Sequence, residues 1–134
     1  MVGHRWSALV ALVAWTVLVW GNRVLNVVRG DETLPARVVS SITAVVFLAL
    51  AAGAALVAVR TRRRPLDRQM AGILGAFAGL TIAYWPARMG LIALADHPVG
   101  FVVVHLVLGV VAVALSVPVL RAALAAWPRQ ALAR

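Results

Sequence analysis

Residues 38–59 read VVSSITAVVFLALAAGAALVAV, a run of 22 residues without a charged side chain. An α-helix needs about 20 consecutive apolar residues to cross the hydrocarbon core of a bilayer. This run is therefore predicted to be a transmembrane helix. Three further uncharged runs occupy residues 6–22, 69–87 and 98–120. The first has 17 residues, so it spans the membrane only if its helix continues past Arg23 towards Val28. The sequence predicts an all-α fold, a bundle of four transmembrane helices.

The composition of the whole chain supports a lipid environment. Of its 134 residues, 63% are hydrophobic and 13% are charged, whereas an ordinary soluble domain has roughly 45–50% and 25%. A disordered chain requires low hydrophobicity and high charge, so that class is excluded. A soluble globule is excluded as well, because small folds bury the smallest fraction of their surface and would leave much of this apolar surface in water.

The charged residues lie mainly beside the apolar runs. The chain has thirteen arginines, no lysine and four acids, which gives a net charge of +9. A strongly basic chain can indicate nucleic-acid binding, but arginines at the ends of apolar runs are typical of membrane flanks, so we expect no nucleic-acid partner. The chain contains no cysteine, which excludes thiolate catalysis and zinc–thiolate sites.

The distribution of arginine predicts the orientation in the membrane. Nine arginines flank the runs on one side, namely Arg5, Arg60, Arg62, Arg63, Arg64, Arg68, Arg121, Arg129 and Arg134. Four flank the other side, namely Arg23, Arg29, Arg37 and Arg88. Because cytoplasmic loops carry the excess of basic residues, we expect a multi-pass protein of the bacterial cytoplasmic membrane with both termini in the cytoplasm. The cluster of Arg60, Arg62, Arg63 and Arg64 is either a patch for anionic lipid or a topology determinant alone.

The two halves of the chain resemble each other at an offset of 65 residues. Leu9, Ala11, Thr16, Trp20, Arg23 and Asp31 correspond to Leu74, Ala76, Thr81, Trp85, Arg88 and Asp96. A four-residue gap in the second outer loop then aligns Arg60 with Arg121. We predict two hairpins, at residues 1–64 and 65–134. Each hairpin holds an even number of spans, so the repeats are parallel and related by an axis near the membrane normal.

The duplicated arginines are the first candidate site. Arg23 and Arg88 each follow a tryptophan by three residues and precede an aspartate, Asp31 or Asp96, by eight. One hypothesis is an anion site in the outer leaflet, because the planar guanidinium fork suits carboxylate or phosphate. A second is an interfacial arginine that pairs with a loop aspartate or a lipid phosphate. A third is cross-pairing of Arg23 with Asp96 and of Arg88 with Asp31.

His105 is the second candidate, because it is the one ionisable residue well inside an uninterrupted run. Ionisable groups inside membranes suggest function, and His105 with Asp96 and His97 has the chemistry to relay a proton or bind a metal. The alternative is a neutral histidine that is hydrogen-bonded to Thr16 or Thr81. We predict no catalytic residue, cofactor or metal site, and a ligand site drawn from Arg23, Arg88, Asp31, Asp96 and His105.

The third run carries small residues at four-residue intervals, namely Ala71, Gly75, Gly79 and Ala83. Small residues let helix backbones approach closely in lipid. The stripe predicts close helix packing within the chain, with a homodimer interface as the alternative.

The second half also resembles a known group of proteins. The segment Tyr84-Trp85-Pro86 through Asp96, followed by residues 104–108, VHLVL, resembles a family of very small actinobacterial membrane proteins of unknown function. The resemblance implies one hairpin and brings no activity. The first half departs from this pattern, with Gly21 in place of proline and Ala44 in place of histidine under the gapped alignment.

We expect a non-enzymatic accessory or scaffold subunit of a membrane assembly, because the loops are short and the spans contain few reactive side chains. The alternative is a small oligomeric transporter or channel with an outer-leaflet anion site at Arg23 and Arg88. A lipid- or quinone-acting enzyme that uses His105 is a third hypothesis. The expected partners are the lipid bilayer, anionic lipid at the Arg60–Arg64 cluster, and a membrane-protein partner or a second copy of the chain.

Overall fold

A computed structural model describes residues 3–30, 33–62 and 65–127, with side chains described from Trp6 onward. These residues form four α-helices: α1 (Gly3–Arg29), α2 (Leu34–Arg60), α3 (Arg68–Leu94) and α4 (Val99–Ala126). The prediction of an all-α fold with four helices is confirmed.

The helices are longer than the uncharged runs that predicted them. They contain 27 or 28 residues, which at 1.5 Å per residue is about 40 Å and exceeds the roughly 30 Å of a hydrocarbon core. All four are long and apolar enough to cross a membrane, as expected for a small multi-pass membrane protein. As a full span requires, α1 continues past Arg23 to Arg29. Arginine is tolerated inside these helices because its long side chain can carry the charge to the interface.

The helices form a ring in which each packs against two neighbours. The adjacent pairs are α1–α2, α2–α3, α3–α4 and α1–α4, and the diagonal pairs make almost no contact. Residues 30–33 and 95–98 connect helices at one end of the ring, which we call the short-loop end. Arg23, Arg29, Arg37 and Arg88 all lie in the half of the ring nearest this end. At the opposite end lie Arg60, Arg62, Arg68 and Arg121. Arg63, Arg64 and Asp31 fall outside the described residues.

The ring encloses an apolar core and leaves an apolar outer surface. Leu12, Phe47 and Phe77 are among the most deeply buried side chains. Many large apolar side chains point outward, among them Leu18, 63% exposed, and Leu124, 61% exposed. A soluble monomer rarely exposes contiguous apolar surface on this scale, whereas lipid chains are an equally apolar environment. The apolar outer surface and the apolar composition thus both indicate a lipid environment.

Asp67 fixes the start of α3. Its side chain accepts a hydrogen bond of 2.8 Å from the backbone N–H of Met70, which satisfies one of the N–H groups that a helix start leaves unpaired. Of the four acids in the sequence, Asp67 is the one that does not belong to an outer loop, and it acts as a helix cap.

The stripe of small residues on α3 makes less contact than predicted. Ala71 is buried, and a Cβ added at Gly75 would lie 3.8 Å from the Cβ of Ala123 on α4. A Cβ added at Gly79 would meet no atom within 4 Å, and Ala83 is exposed. The part of the stripe formed by Gly79 and Ala83 therefore does not mediate close packing in the chain. Four residues advance the helix by about 400°, so each step turns the stripe by about 40°.

The buried faces of the two hairpins coincide at one constant offset of 65 residues. The bounds of α1 and α3 differ by 65 residues at both ends. In α2 the buried residues Ala44, Phe47, Ala51 and Ala54 correspond at this offset to Gly109, Ala112, Ser116 and Val119, which are all buried in α4.

The predicted gap, with its offset of 61, would match Ala51 to Ala112 and leave the others unmatched. The residue of α2 at the level of His105 is therefore Ser40 and not Ala44. Antiparallel helices of equal length bury similar positions in any such ring, so the duplication itself stays a prediction.

Candidate functional site: an arginine-lined cleft

A cleft of about 270 Å³ lies near the short-loop end of the ring. Helices α1, α3 and α4 form its walls. The lining residues are Val19, Trp20, Asn22, Arg23 and Asn26 of α1, Tyr84, Trp85 and Arg88 of α3, and Phe101, Val104, His105 and Leu108 of α4. The cleft therefore brings together three of the five residues predicted to bind a ligand, which are Arg23, Arg88 and His105.

These polar residues share one level of the bundle. Arg23 lies six residues before Arg29 at the end of α1, and Arg88 lies six residues before Leu94 at the end of α3. Ser40 and His105 each lie six residues after the first residue of their helix. Six residues correspond to about 9 Å along a helix. We call this level, formed by Arg23, Ser40, Arg88 and His105, the polar layer.

Arg23 is held by the neighbouring helix. Its Nη2 donates a hydrogen bond of 2.7 Å to the hydroxyl oxygen of Ser40 on α2. The bond is partly buried and crosses the α1–α2 interface, so it orients the guanidinium as well as satisfying one of its five donors. The predicted cross-pair with Asp96 is not formed, because Asp96 makes no ion pair with Arg23 and does not line the cleft. Asp31, the other predicted partner, lies outside the described residues.

Arg88 faces the same space from the opposite helix. Its side chain is partly buried, and its guanidinium forms no hydrogen bond or ion pair with another described residue. The phenol of Tyr84, one helical turn deeper, lines the same cleft as Arg88 and Arg23. The two cations therefore converge on one cavity. Holding a charged group at membrane depth is costly unless a counter-charge or water reaches it.

His105 forms the third side of the polar layer. Its Nδ1 lies 2.8 Å from the carbonyl oxygen of Phe101. A carbonyl can only accept, so Nδ1 carries the hydrogen and Nε2 is left as an acceptor in the neutral ring and a donor in the charged ring. The alternative of a hydrogen bond from His105 to Thr16 or Thr81 is not observed: the described hydrogen bond of His105 is to the carbonyl of Phe101, and that of Thr81 is to the carbonyl of Phe77. The ring of His105 also lies against that of Phe101, with centroids 4.0 Å apart.

Four aromatic residues close the cleft towards the middle of the bundle. Trp20 stacks on Phe47 with a centroid distance of 4.7 Å and an interplanar angle of 6°. Tyr84 meets Trp20, Phe47 and Trp85 edge-on at 5.4, 5.1 and 5.9 Å. Trp20 and Trp85 are both buried inside the ring. They form the floor of the cleft.

Gly109 makes room for this floor. A Cβ added at Gly109 would lie 3.0 Å from Cε3 of Trp85 and 3.5 Å from Cδ2. No other described glycine comes this close to a neighbouring side chain. The tightest helix contact that depends on glycine is therefore between α4 and α3 at Trp85, not along the small-residue stripe of α3.

The mouth of the cleft lies between α1 and α4. Asn22 and Asn26 are exposed on the α1 side. On the α4 side Phe101 is 36% exposed and Val104 56% exposed. The back wall consists of Tyr84, Trp85 and Arg88 of α3. Since α1 and α4 are neighbours in the ring, the mouth faces sideways as well as towards the short-loop end.

The hypothesis that Asp96, His97 and His105 bind a metal together is not supported by the described residues. Within residues 3–30, 33–62 and 65–127 no group of three histidine, aspartate or glutamate residues is placed to hold a metal ion. His97 contacts the ring of Phe101 with centroids 4.5 Å apart, and neither His97 nor Asp96 lines the cleft.

Tyr84, Asn22, Asn26 and Ser40 were missed from the sequence. Asn22 and Asn26 are four residues apart and flank Arg23, so they lie on one side of α1. This spacing was an available signal for a polar face. Ser40 and Tyr84 gave no such signal, because their roles depend on which helix lies beside which.

Comparison of the chain with protein-family models, curated proteins and solved structures found no significant match.

Proposed function

We propose that this protein is a non-enzymatic accessory protein of the membrane that binds an anionic group, phosphate or carboxylate, in the arginine-lined cleft. The observation that carries the proposal is the convergence of Arg23 and Arg88 on one cavity, where Arg88 has no partner among the described residues. A positioned anion would supply the counter-charge that a cation at this depth requires.

The donors of the cleft favour an anion with several oxygen atoms. A guanidinium carries five N–H donors in a planar fork, and each asparagine amide carries two. Arg88, Asn22 and Asn26 line the cleft together with Arg23, and no aspartate or glutamate is among the described lining residues. Hydrogen bonds to a charged acceptor are roughly twice as strong as bonds between neutral groups. The described lining is therefore suited to an anion and not to a cation.

The alternative of a transporter or channel receives less support. A path through the bundle would have to pass Trp20, Phe47 and Tyr84, which pack ring against ring. Beyond them Leu12 and Phe77 fill the interior, and both are fully buried. The cleft thus opens at one end of the described bundle, which suits binding better than passage.

The basic residues at the opposite end support a second, weaker association. Arg60 and Arg62 are exposed, and each basic residue near an anionic membrane surface adds about 1 kcal/mol of attraction. We propose that the Arg60–Arg64 cluster contacts anionic lipid of the cytoplasmic leaflet. The exposed apolar faces of the helices leave room for a membrane-protein partner or for a second copy of the chain.

The test uses delipidated protein in an uncharged detergent. We expect inorganic phosphate to raise the melting temperature at constant ionic strength, because a ligand that binds only the folded state stabilises it. Arg88→Gln should weaken this effect by roughly tenfold or more in apparent affinity, since a hydrogen-bonded charge is lost. Arg88→Lys and Arg23→Lys should also weaken it, because an ammonium group cannot reproduce the bidentate fork.

Arg37→Gln is the matched control. Arg37 lies at the same end of the ring, in the first turn of α2, but it is exposed and outside the cleft. It should behave as wild type. If the two lysine variants and their double mutant bind phosphate as well as wild type does, the arginines serve only as interface anchors and the anion site is wrong.

A further inference from the structure

We infer that the anion bound in the cleft is the phosphate headgroup of a membrane lipid, which enters sideways between α1 and α4 with its chains left in the bilayer. This inference rests on the proposed function. It adds the source of the anion and its route, which follow from the direction of the mouth, the order of side chains with depth, and the size of the cleft.

The mouth faces the lipid. In a ring of four helices, the groove between two neighbours is turned towards the surrounding membrane. The exposed cleft residues Asn22, Asn26, Phe101 and Val104 all belong to α1 and α4, and the third wall, α3, closes the back. An anion that arrives from water reaches the cleft from the short-loop end, whereas a lipid reaches it through this groove without leaving its leaflet.

On α1 and α3 the side chains along the cleft change from polar to apolar with depth. Asn26 lies nearest the helix end, followed by Arg23 and Asn22, and then by Val19 one turn deeper. On α4 the apolar Phe101 and Val104 precede His105, and Leu108 follows it. On α3 the order is again from polar to apolar, with Arg88 first and then Trp85 and Tyr84. A phospholipid has the same order, with phosphate at the interface and acyl chains towards the midplane. A free phosphate would gain nothing from Val19, Val104 and Leu108.

The size of the cleft excludes a whole lipid and fits a headgroup. Pockets that enclose a drug-sized ligand measure about 300–1,000 Å³, and the cleft measures about 270 Å³. The phosphate and the adjoining glycerol fit within it, and the chains must remain outside, along the apolar outer surfaces of α1 and α4.

The experiment measures lipid retention and soluble phosphate binding on the same variants. The protein is purified in an uncharged detergent with equal amounts of phosphatidylglycerol and phosphatidylcholine, and bound lipid is counted by native mass spectrometry. In parallel, glycerol 3-phosphate binding to delipidated protein is followed by thermal shift. Val104→Trp narrows the sideways mouth and leaves the arginines in place. Val103→Trp is the matched control, because Val103 is exposed on the same helix outside the cleft.

We expect wild type and Val103→Trp to retain phosphatidylglycerol over phosphatidylcholine. In Arg88→Gln and in Val104→Trp, the amount of retained phosphatidylglycerol should fall by roughly tenfold or more. Arg88→Gln removes a charged hydrogen-bond donor, and Val104→Trp obstructs the mouth through which the lipid enters. Without ligand, Val104→Trp should melt at the same temperature as Val103→Trp, which shows that it folds.

Two other outcomes would overturn the inference and separate it from the proposed function. If glycerol 3-phosphate binding depends on Arg88 while lipid retention is equal in Val104→Trp and Val103→Trp, the anion site stands but its ligand does not enter from the membrane. If neither phosphatidylglycerol nor glycerol 3-phosphate binding depends on Arg88, the lipid site and the anion site are both wrong.

Discussion

Replacing Gly109 by alanine should destabilise the bundle, although the same replacement at most helix positions stabilises. The added Cβ would lie 3.0 Å from Cε3 of Trp85, whereas carbon atoms in good contact are about 3.5–4.0 Å apart. The indole ring must therefore retreat by about half an ångström or more. Trp85 is only 5% exposed and lies against Tyr84, so it has little room to move.

The magnitude follows from two opposing contributions. Glycine to alanine in a helix interior gains about 0.5–1 kcal/mol, because the unfolded chain loses conformational freedom. An extra methyl group in a packed core costs about 1–3 kcal/mol. Gly79→Ala provides the reference, because its Cβ would meet no atom within 4 Å. The backbone contribution cancels between the two variants, so Gly109→Ala should be less stable than Gly79→Ala by about 1–3 kcal/mol.

The assay is reversible unfolding in mixed micelles of neutral detergent and dodecyl sulphate, followed by far-ultraviolet circular dichroism. Circular dichroism is preferred to tryptophan fluorescence because the substitution alters the surroundings of Trp85 itself. Equal free energies of unfolding for the two variants would refute the contact between α4 and the floor of the cleft.

Three further predictions concern other parts of the chain. Gly79→Leu should leave the melting temperature close to that of wild type, contrary to the expectation from the small-residue stripe, because the position faces open space; a clear fall in thermal unfolding experiments would restore the stripe as a packing face. Asp67→Ala should lower the free energy of unfolding by about 1 kcal/mol through loss of the helix cap, and Asp67→Asn should recover most of it, because asparagine caps equally well. If the alanine and asparagine variants unfold alike, the hydrogen bond to Met70 contributes nothing. A reporter fused after Arg134 should be active only in its cytoplasmic form, as the nine-to-four distribution of arginine predicts; activity of a periplasmic reporter at that position would reverse the orientation.

The helices could be predicted from the sequence because a single physical requirement dominates. Each segment must satisfy its backbone inside lipid, so long apolar runs become helices. The predicted spans were too short, since the runs were cut at charged residues such as Arg23, Arg37 and Arg88, which the helices include. The common level of Arg23 and Arg88 was also predictable. It depends only on the position of each arginine along its helix and on the direction in which that helix crosses the membrane.

The contents of the cleft could be predicted only in part. Arg23 and Arg88 were chosen because they recur in both halves, and His105 because ionisable groups inside membranes suggest function. The structure places all three in the lining. Their relation to Ser40, Tyr84 and the asparagines depends on the order of helices around the ring, which apolar sequences do not specify. Tryptophan prefers the lipid interface on average, but packing against Phe47 and Tyr84 buries Trp20 inside the bundle.

The bundle has two long grooves between hairpins, and they are chemically different. In the α2–α3 groove, the positions that match Asn22, Asn26 and His105 at the offset of 65 are Ala87, Leu91 and Ser40. Ala87 and Leu91 are exposed and apolar. Seen down the membrane normal, the molecule therefore has a front, which presents amides and an imidazole, and a back, which presents hydrocarbon. If the two grooves were alike, the two sides of the ring would be equivalent to a neighbouring protein in the bilayer. Here the two sides differ, so a neighbouring helix that packs against the apolar back leaves the polar front accessible.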